Sequence, residues 1–489
     1  MEGSHQLSNI NHNVSTKLAK FAVSLDIQVS RNLKEGAIVT RFTKSNGLWC
    51  YLLLPMILIM YTTLYKMSVQ YHIVTCVSVG LFFYCMLFIL FLSISSVILK
   101  EFDFGGCMAS SLISALLIYI FLGKGLLTSL VSALPCIYFF NAMLKISVIN
   151  LPKTFTIGEA MVISQSITLF VTASIIEFLN GVVNGIDEES TFINTLVLTV
   201  LSTMGLIVTA LFFLNDSYKN VKSLGYIITI GTVIMLLEWH LIMGPKCIIR
   251  IIEYIFMDFK RVKLLTIWLS MVIVAIFIIF IQTKMSTKAS TVTRKTFHVL
   301  ASLVFLSGIL TDIPLMTLAA GIGLALLIFT EALRICGIEP ISSALHSAFV
   351  VYSDEKDSGV LAMTPLYLFT GLACPLILAP SEAQLDMLAG VLAVGVGDTA
   401  ASCIGSTFGR THWAGSNRTL EGTAANILSQ VAVICMLQYF ELLETKNAII
   451  RTLIAATVSA SVEAKTDQVD NLILPLVTIL VFQVTYFLS

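Results

Sequence analysis

Apolar residues run through this chain in blocks of about twenty, broken by short stretches rich in glycine, proline or charge. A segment in hydrocarbon must satisfy its own backbone hydrogen bonds, so each block of this length is predicted to be a membrane-crossing helix. About fifteen are predicted, beginning near Gly47, Gln70, Cys107, Gly125, Gly158, Phe192, Leu224, Lys263, Phe297, Ile313, Gly359, Leu385, Ala424, Ala448 and Asn471. The expected fold class is therefore all-α, a polytopic membrane helical bundle with no separate soluble domain. Residues 1–46 are polar and basic, with Lys17, Lys20, Arg31, Lys34, Arg41 and Lys44, and lack the early apolar core of a cleaved signal peptide. They are expected to form a cytosolic N-terminal segment, followed by a transmembrane region over 47–281 and a second one over 282–489 that holds the polar motifs.

Composition agrees with that pattern. Of 489 residues 57% are hydrophobic and 12% charged, and the mean hydropathy is +0.92, whereas soluble domains carry roughly 25% charged residues. The 29 Lys and Arg balance 29 Asp and Glu, so no global charge recruits nucleic acid, and electrostatic work falls to local clusters. The ten cysteines are scattered without CxxC pairs or metal-ligand spacing to histidine, and are read as packing residues.

Lys and Arg accumulate in cytoplasmic loops. The segment 282–295, with Lys284, Lys288, Arg294 and Lys295 and no acid, is placed in the cytosol; counting spans in pairs puts 334–358, 406–423 and 464–469 on the same side and 441–447 opposite. The basic segment 244–262, with Lys246, Arg250, Lys260 and Arg261, disagrees with this parity, as an interfacial helix or a miscounted span would. The sequons at Asn13, Asn215 and Asn417 fall on the cytosolic side, so none is expected to be glycosylated.

Three stretches of the second half carry candidate chemistry. In 390–423, Asp398 follows Gly395 and Gly397 at the end of an apolar run and precedes Thr399 and Ser402. A lone acid there costs several kcal/mol by roughly the membrane-insertion scales and needs a partner, a divalent cation being one. Glycines expose backbone N–H groups to phosphate oxygens, and Arg410, His412, Arg418 and Thr419 add positive charge and hydroxyls, with Glu421 a second acid. The same glycines would also serve close helix packing. No GxxxxGK[ST] loop occurs, so a P-loop kinase is excluded, and Gly395-Val-Gly397 lacks the remainder of a dinucleotide fingerprint. The second stretch is Thr293-Arg294-Lys295-Thr296-Phe297-His298, where the cations are snorkelling anchors or phosphate ligands and His298 lies a turn inside the apolar run. The third is Glu463 to Asn471: on one helix Glu463, Asp467, Asp470 and Asn471 would share a face, and carboxylates so placed would need a basic loop or magnesium to neutralise them. Glu331 with Arg334, and the run Ser353-Asp354-Glu355-Lys356-Asp357, are read as structural or solvated.

RKTFH at 294–298, VGVGDTAAS at 394–402, FGRTHW at 408–413, NRTLEGT at 417–423 and EAKTDQVDNLILPL at 463–476 together resemble the dolichol kinase family, within the wider group of CTP-dependent lipid kinases that includes phytol kinases and the fungal diacylglycerol kinase. The motifs cover roughly the last 200 residues, and the length of the chain favours dolichol kinase within that group. The resemblance implies a multi-pass enzyme of the endoplasmic reticulum membrane that transfers the γ-phosphate of CTP to dolichol, forming dolichyl phosphate for glycan assembly. The family loop reads closer to K-K-T-x-E-G; here Asn417 and Arg418 precede Thr419, so one positive charge is missing. On this reading Arg294, Gly395, Gly397, Thr399, Arg410, Ser416, Asn417, Arg418, Thr419, Glu421, Gly422 and Thr423 would bind CTP. Asp398, with Asp467 or Asp470, would hold Mg²⁺, Lys295 would neutralise transition-state charge, and Asp470 or His298 would accept the proton of the lipid alcohol. The rival readings are a CTP-dependent cytidylyltransferase acting on phosphatidate, which would release pyrophosphate, and a secondary transporter, whose broken helices would line a pathway.

Overall fold

The computed structural model describes residues 2–94, 102–184, 188–285, 289–353 and 357–488; Lys288 of the basic segment and Asp354, Glu355 and Lys356 of the charge run lie outside the described residues. The elements are α1 (Glu2–Glu35), α2 (Leu53–Leu64), α3 (Val69–Ile94), α4 (Phe102–Leu122), α5 (Leu126–Lys145), α6 (Ile157–Asn184), α7 (Glu189–Phe212), α8 (Val221–Met243), α9 (Cys247–Phe256), α10 (Phe259–Lys284), α11 (Thr291–Thr311), α12 (Ile313–Cys336), α13 (Ile341–Tyr352), α14 (Met363–Leu378), α15 (Gln384–Met387), a π-helical stretch Val391–Asp398, α16 (Thr399–Phe408), α17 (Leu420–Tyr439), α18 (Ala448–Lys465) and α19 (Asp470–Val484). Many helices start where the sequence supplies a capping side chain: Asn220, Asp258, Ser290, Asp312 and Thr419 each accept a backbone N–H of the first turn.

Every predicted apolar block coincides with a helix, so the chain is an all-α polytopic bundle. Among the described residues ten helices are long and apolar enough to cross a membrane, and Leu48–Leu64, Ile341–Tyr352, Met363–Leu378 and Asp470–Val484 are shorter apolar helices. Helices α11 and α18 fall outside both groups; Lys295 near the start of α11 and Glu463 near the end of α18 belong to the site described below.

The chain divides into two compact units. The first comprises 1–55, 71–170 and 358–360. Within it Arg41, expected in a basic tail, is instead 6% exposed and ion-paired with the fully buried Glu159, which also accepts the Thr156 N–H at 3.0 Å. Asn46 donates to Ser30 Oγ at 2.7 Å and Asn32 to the Leu92 carbonyl at 2.7 Å, which pins α1 to α3. These buried polar groups are paired because an unmade hydrogen bond in a dry interior costs about 1–3 kcal/mol.

The second unit comprises 56–70, 171–357 and 361–489. Its two ends are set by chain direction. From Lys295, α11 runs to its C-cap Asp312 over roughly 25 Å at 1.5 Å per residue, and Asp312 there accepts Arg261 Nε at 2.7 Å. Arg261 also donates to Glu189 at 2.7 Å and to the Tyr254 carbonyl at 3.0 Å, while Arg250 lies 4.8 Å over the Phe192 ring. Two of the four cations of 244–262 are therefore bound into the fold rather than free in a loop. Helix α9 within it has ten residues, about 15 Å, half of what a crossing needs. A second buried knot holds α2, α15, α18 and α19: Tyr61 donates to Asp386 at 2.9 Å, Arg451 lies 3.7 Å from Asp386 and donates to the Phe482 carbonyl at 2.7 Å, and Gln483 donates to the Ile57 carbonyl at 3.0 Å.

Candidate active site

At the other end of the second unit, Asp398 closes the π-helical stretch and is followed at once by α16. Such wide turns inside a helix occur frequently at functional sites. Two neighbours approach this stretch because it carries glycine: a Cβ on Gly395 would overlap Ser302 of α11, and one on Gly397 would overlap Asn426 and Gln430 of α17. Both glycines are buried within the helical run. Both therefore let α11 and α17 approach the stretch closely.

The charge on Asp398, 3% exposed, is met by Lys295 in an ion pair. Lys295, His298 and Ser302 recur at i, i+3 and i+7 of α11, so one stripe of that helix faces the stretch, and His298 is buried beneath Lys295. Arg294 is half-buried next to it. Ser402, one turn after Asp398, contacts its carboxylate at 3.4 Å. The buried hydroxyls of Thr399 and Ser302 have no hydrogen-bond partner among the described residues, and unsatisfied buried polar atoms are where ligands or waters fit.

The loop after α16 is a small hairpin. Trp413 N–H donates to the Arg418 carbonyl at 2.9 Å and Leu420 N–H to the Thr411 carbonyl at 2.8 Å, with a bridge between His412 and Thr419. Gly415 makes the turn at φ +75°, a conformation that suits glycine. Several predicted nucleotide ligands build this hairpin: Glu421 accepts the Thr411 N–H at 3.1 Å, Thr423 accepts Trp413 Nε1 at 2.9 Å, Thr419 caps α17 by accepting the Gly422 N–H at 3.2 Å, and Ser416 accepts the Arg418 N–H at 3.2 Å. Arg410 and Asn417 are exposed on its surface.

The hairpin delivers Arg418 to a pair of carboxylates. Its guanidinium lies 2.7 Å from Asp470 and 3.5 Å from Glu463. These acids do not share one helix face as expected: α18 ends at Lys465, Thr466 turns extended, and α19 starts at Asp470. Asp467 lies exposed in the turn. Glu463 and Asp470 meet through Arg418 because two helix ends, not one helix, are brought to it. The charge of Asp470, then those of Glu463 and Asp398, hold the Arg418 pKa above its already high ordinary value against the opposing effect of burial. Glu463 is fixed from behind: Asn426 donates to it at 2.9 Å, and Gln430 donates to Asn426. Neither amide was singled out from the sequence. The available signal was two amides one turn apart in an otherwise apolar span, a placement that marks function by default.

Arg418, Glu463, Ala401, Thr419, Gly422 and Thr423 line a small cavity of about 30 Å³, enough to hold water. Among the described residues no three of His, Cys, Asp and Glu gather as metal ligands. Magnesium is usually held by one or two carboxylates with phosphates completing its shell, and Asp398 and Asp470, both acting on Arg418, fit that smaller requirement.

The family model described as dolichol kinase matches residues 17–409. The chain is 31% identical to a dolichol kinase of Bos taurus over 394 residues, covering 76% of this chain and 72% of that protein. It is 30% identical to dolichol kinase EVAN of Arabidopsis thaliana over 236 residues, 46% of this chain and 41% of the relative, and 29% identical to a dolichol kinase of Saccharomyces cerevisiae over 239 residues, 48% and 44%. No solved structure matches. With a family match that spans most of its length, the chain belongs to the dolichol kinase family.

Proposed function

We propose that this chain transfers the γ-phosphoryl group of CTP to the hydroxyl of dolichol, in the endoplasmic reticulum membrane with the Asp398 end facing the cytosol, giving dolichyl phosphate for protein glycosylation. The observation that carries the reading is the interlocking of Lys295 with Asp398 and of Arg418 with Asp470 and Glu463 at one end of a membrane bundle. Phosphoryl transfer asks for charge neutralisation and positioning more than covalent chemistry. Lys295 and Arg418 are cations already held in register by carboxylates, and an incoming triphosphate competes for them. The Thr399 hydroxyl, next in the chain to Asp398, offers a further donor. Magnesium, when bound by Asp398 and Asp470, would neutralise charge on the β- and γ-phosphates.

The triphosphate is placed along the open side of the Arg418 and Glu463 cavity, against Lys295 and Arg418. The dolichol hydroxyl, reaching the site from the bilayer, attacks the γ-phosphorus; its O–H proton passes to His298 or Asp470 and CDP leaves. Turnover lost in H298Q with the KM for CTP unchanged assigns the proton to His298; full turnover in H298Q leaves it to Asp470, whose own variants also disturb Arg418.

The test is purified protein in detergent with Mg²⁺, dolichol and CTP labelled at the γ-phosphate. Label in the lipid that disappears with D398A supports the reading. Absence of label from folded protein with any nucleotide, or turnover intact in D398A, overturns it.

A further inference from the structure

The apolar helix α17 carries two amides, Asn426 and Gln430, four residues apart on one face. They are 1% and 0% exposed. We infer that both are positioning residues for phosphoryl transfer: acting through Glu463, they hold Arg418, and the hairpin that carries it, in place. That role rests on the transfer from CTP proposed above, in which Arg418 meets phosphate.

The hydrogen bonds run in one direction. An ionised carboxylate only accepts, so Asn426 turns its amide N–H to Glu463 Oε2, at 2.9 Å, and its own oxygen away. Gln430 donates to that oxygen, which keeps the Asn426 amide from turning over. The other carboxylate oxygen, Glu463 Oε1, lies 3.5 Å from Arg418. Glu463 is thus divided between two partners, one oxygen for each. Both partners come from one element: Arg418 directly precedes Thr419, the N-cap of α17, and Asn426 follows two turns inside that helix. Helix α17 therefore grips a side chain of α18 from two sides, and the grip on Arg418 is only as firm as the bond behind it.

Folding alone does not account for the pair. Gln430 Oε1 is buried and has no hydrogen-bond partner among the described residues, and an unmatched acceptor in a dry interior opposes folding. An apolar side chain of similar shape at 430 would remove that atom. What the glutamine adds is direction, because its N–H group fixes which way Asn426 faces and so keeps a donor on Glu463.

Q430M separates position from stability. It removes the unmatched oxygen of Gln430 and leaves that of Asn426 unmatched instead, so the thermal midpoint is expected to stay near that of wild type. With Asn426 able to turn, Glu463 loosens on Arg418. Hydrogen–deuterium exchange of the full chain in detergent is expected to quicken about tenfold in peptides over 411–420 and to stay unchanged over α18. In steady-state kinetics the KM for CTP is expected to rise about tenfold, the lower end of what removing a supporting hydrogen bond does at a bound ligand, with the KM for dolichol unchanged. In an R418K background Q430M is expected to add little, since both changes act on one contact. Faster exchange over 411–420 in Q430M from a protein that takes up no CTP supports the hold on Arg418 and overturns the CTP reading instead. Unchanged exchange over 411–420 in folded Q430M, or an equal rise in KM with and without R418K, overturns the inference.

Discussion

Arg418 carries a fork of N–H donors shared between Asp470 and Glu463, a geometry that lysine does not reproduce. R418K keeps the charge and loses the second contact, so kcat/KM for CTP is expected to fall about 10- to 100-fold, equivalent to roughly 1.4–2.8 kcal/mol, with most of the loss in KM. Steady-state kinetics in detergent check this, and an unchanged KM would remove Arg418 from the nucleotide site. Lys295 and Asp398 make a sharper pair. Breaking a buried ion pair from one side costs about 3–5 kcal/mol, whereas removing both charges is often neutral. K295M and D398N are each expected to lower thermal stability by about that much, and the double variant to recover most of it while remaining inactive. Recovery of activity in the double variant would contradict the roles given to both. Asn426 acts at the same scale through Glu463: N426A is expected to lose about 1–3 kcal/mol because a buried carboxylate loses its amide, and E463Q in the same protein should soften that loss.

At the scale of elements, the π-helical stretch and its glycines decide how closely α11 and α17 approach. G397A places a methyl group against Asn426 and Gln430, and overpacking of this kind costs about 1–3 kcal/mol. The folded fraction of G397A should bind CTP with an unaltered KM, whereas a glycine that cradled phosphate would show a raised KM at unchanged stability. Thermal unfolding and kinetics on the same preparation separate the two. The hairpin over 411–420 was legible in the sequence only as a polar, glycine-containing loop with useful side chains. That Thr419, Glu421 and Thr423 hold the hairpin together while Arg418 reaches the acids depends on hydrogen bonds between residues several positions apart, which no local pattern announces.

At the scale of the whole molecule, the proposed sidedness, with the Asp398 end in the cytosol, predicts that Asn13, Asn215 and Asn417 carry no glycan. Digestion with a glycosidase should leave the mobility of the expressed protein unchanged, and a shift lost in N417Q would invert the assigned sidedness. At 244–262, where charge bias and span parity disagree, Arg250 and Arg261 are held by Phe192, Glu189 and Asp312. Lys and Arg report sidedness when they are solvated loop charges; once bound in the fold they no longer do.

The sequence by itself determined the membrane class and the helical fold, because hydrocarbon tolerates few backbone solutions and each apolar block must satisfy its hydrogen bonds within itself. It also exposed Lys295, Asp398, Arg418 and Asp470 as candidates, since charges next to apolar runs are costly enough to stand out. Tertiary structure alone decided their partners. Lys295 and Asp398 lie 103 positions apart and Arg418 and Asp470 lie 52 apart, and only the packing of α11, α17, α18 and α19 around one π-helical turn fixes which charge meets which. The break between α18 and α19 and the amides behind Glu463 belong to that same level, because pairing energies depend on distance and burial, and neither is a property of the chain until it has folded.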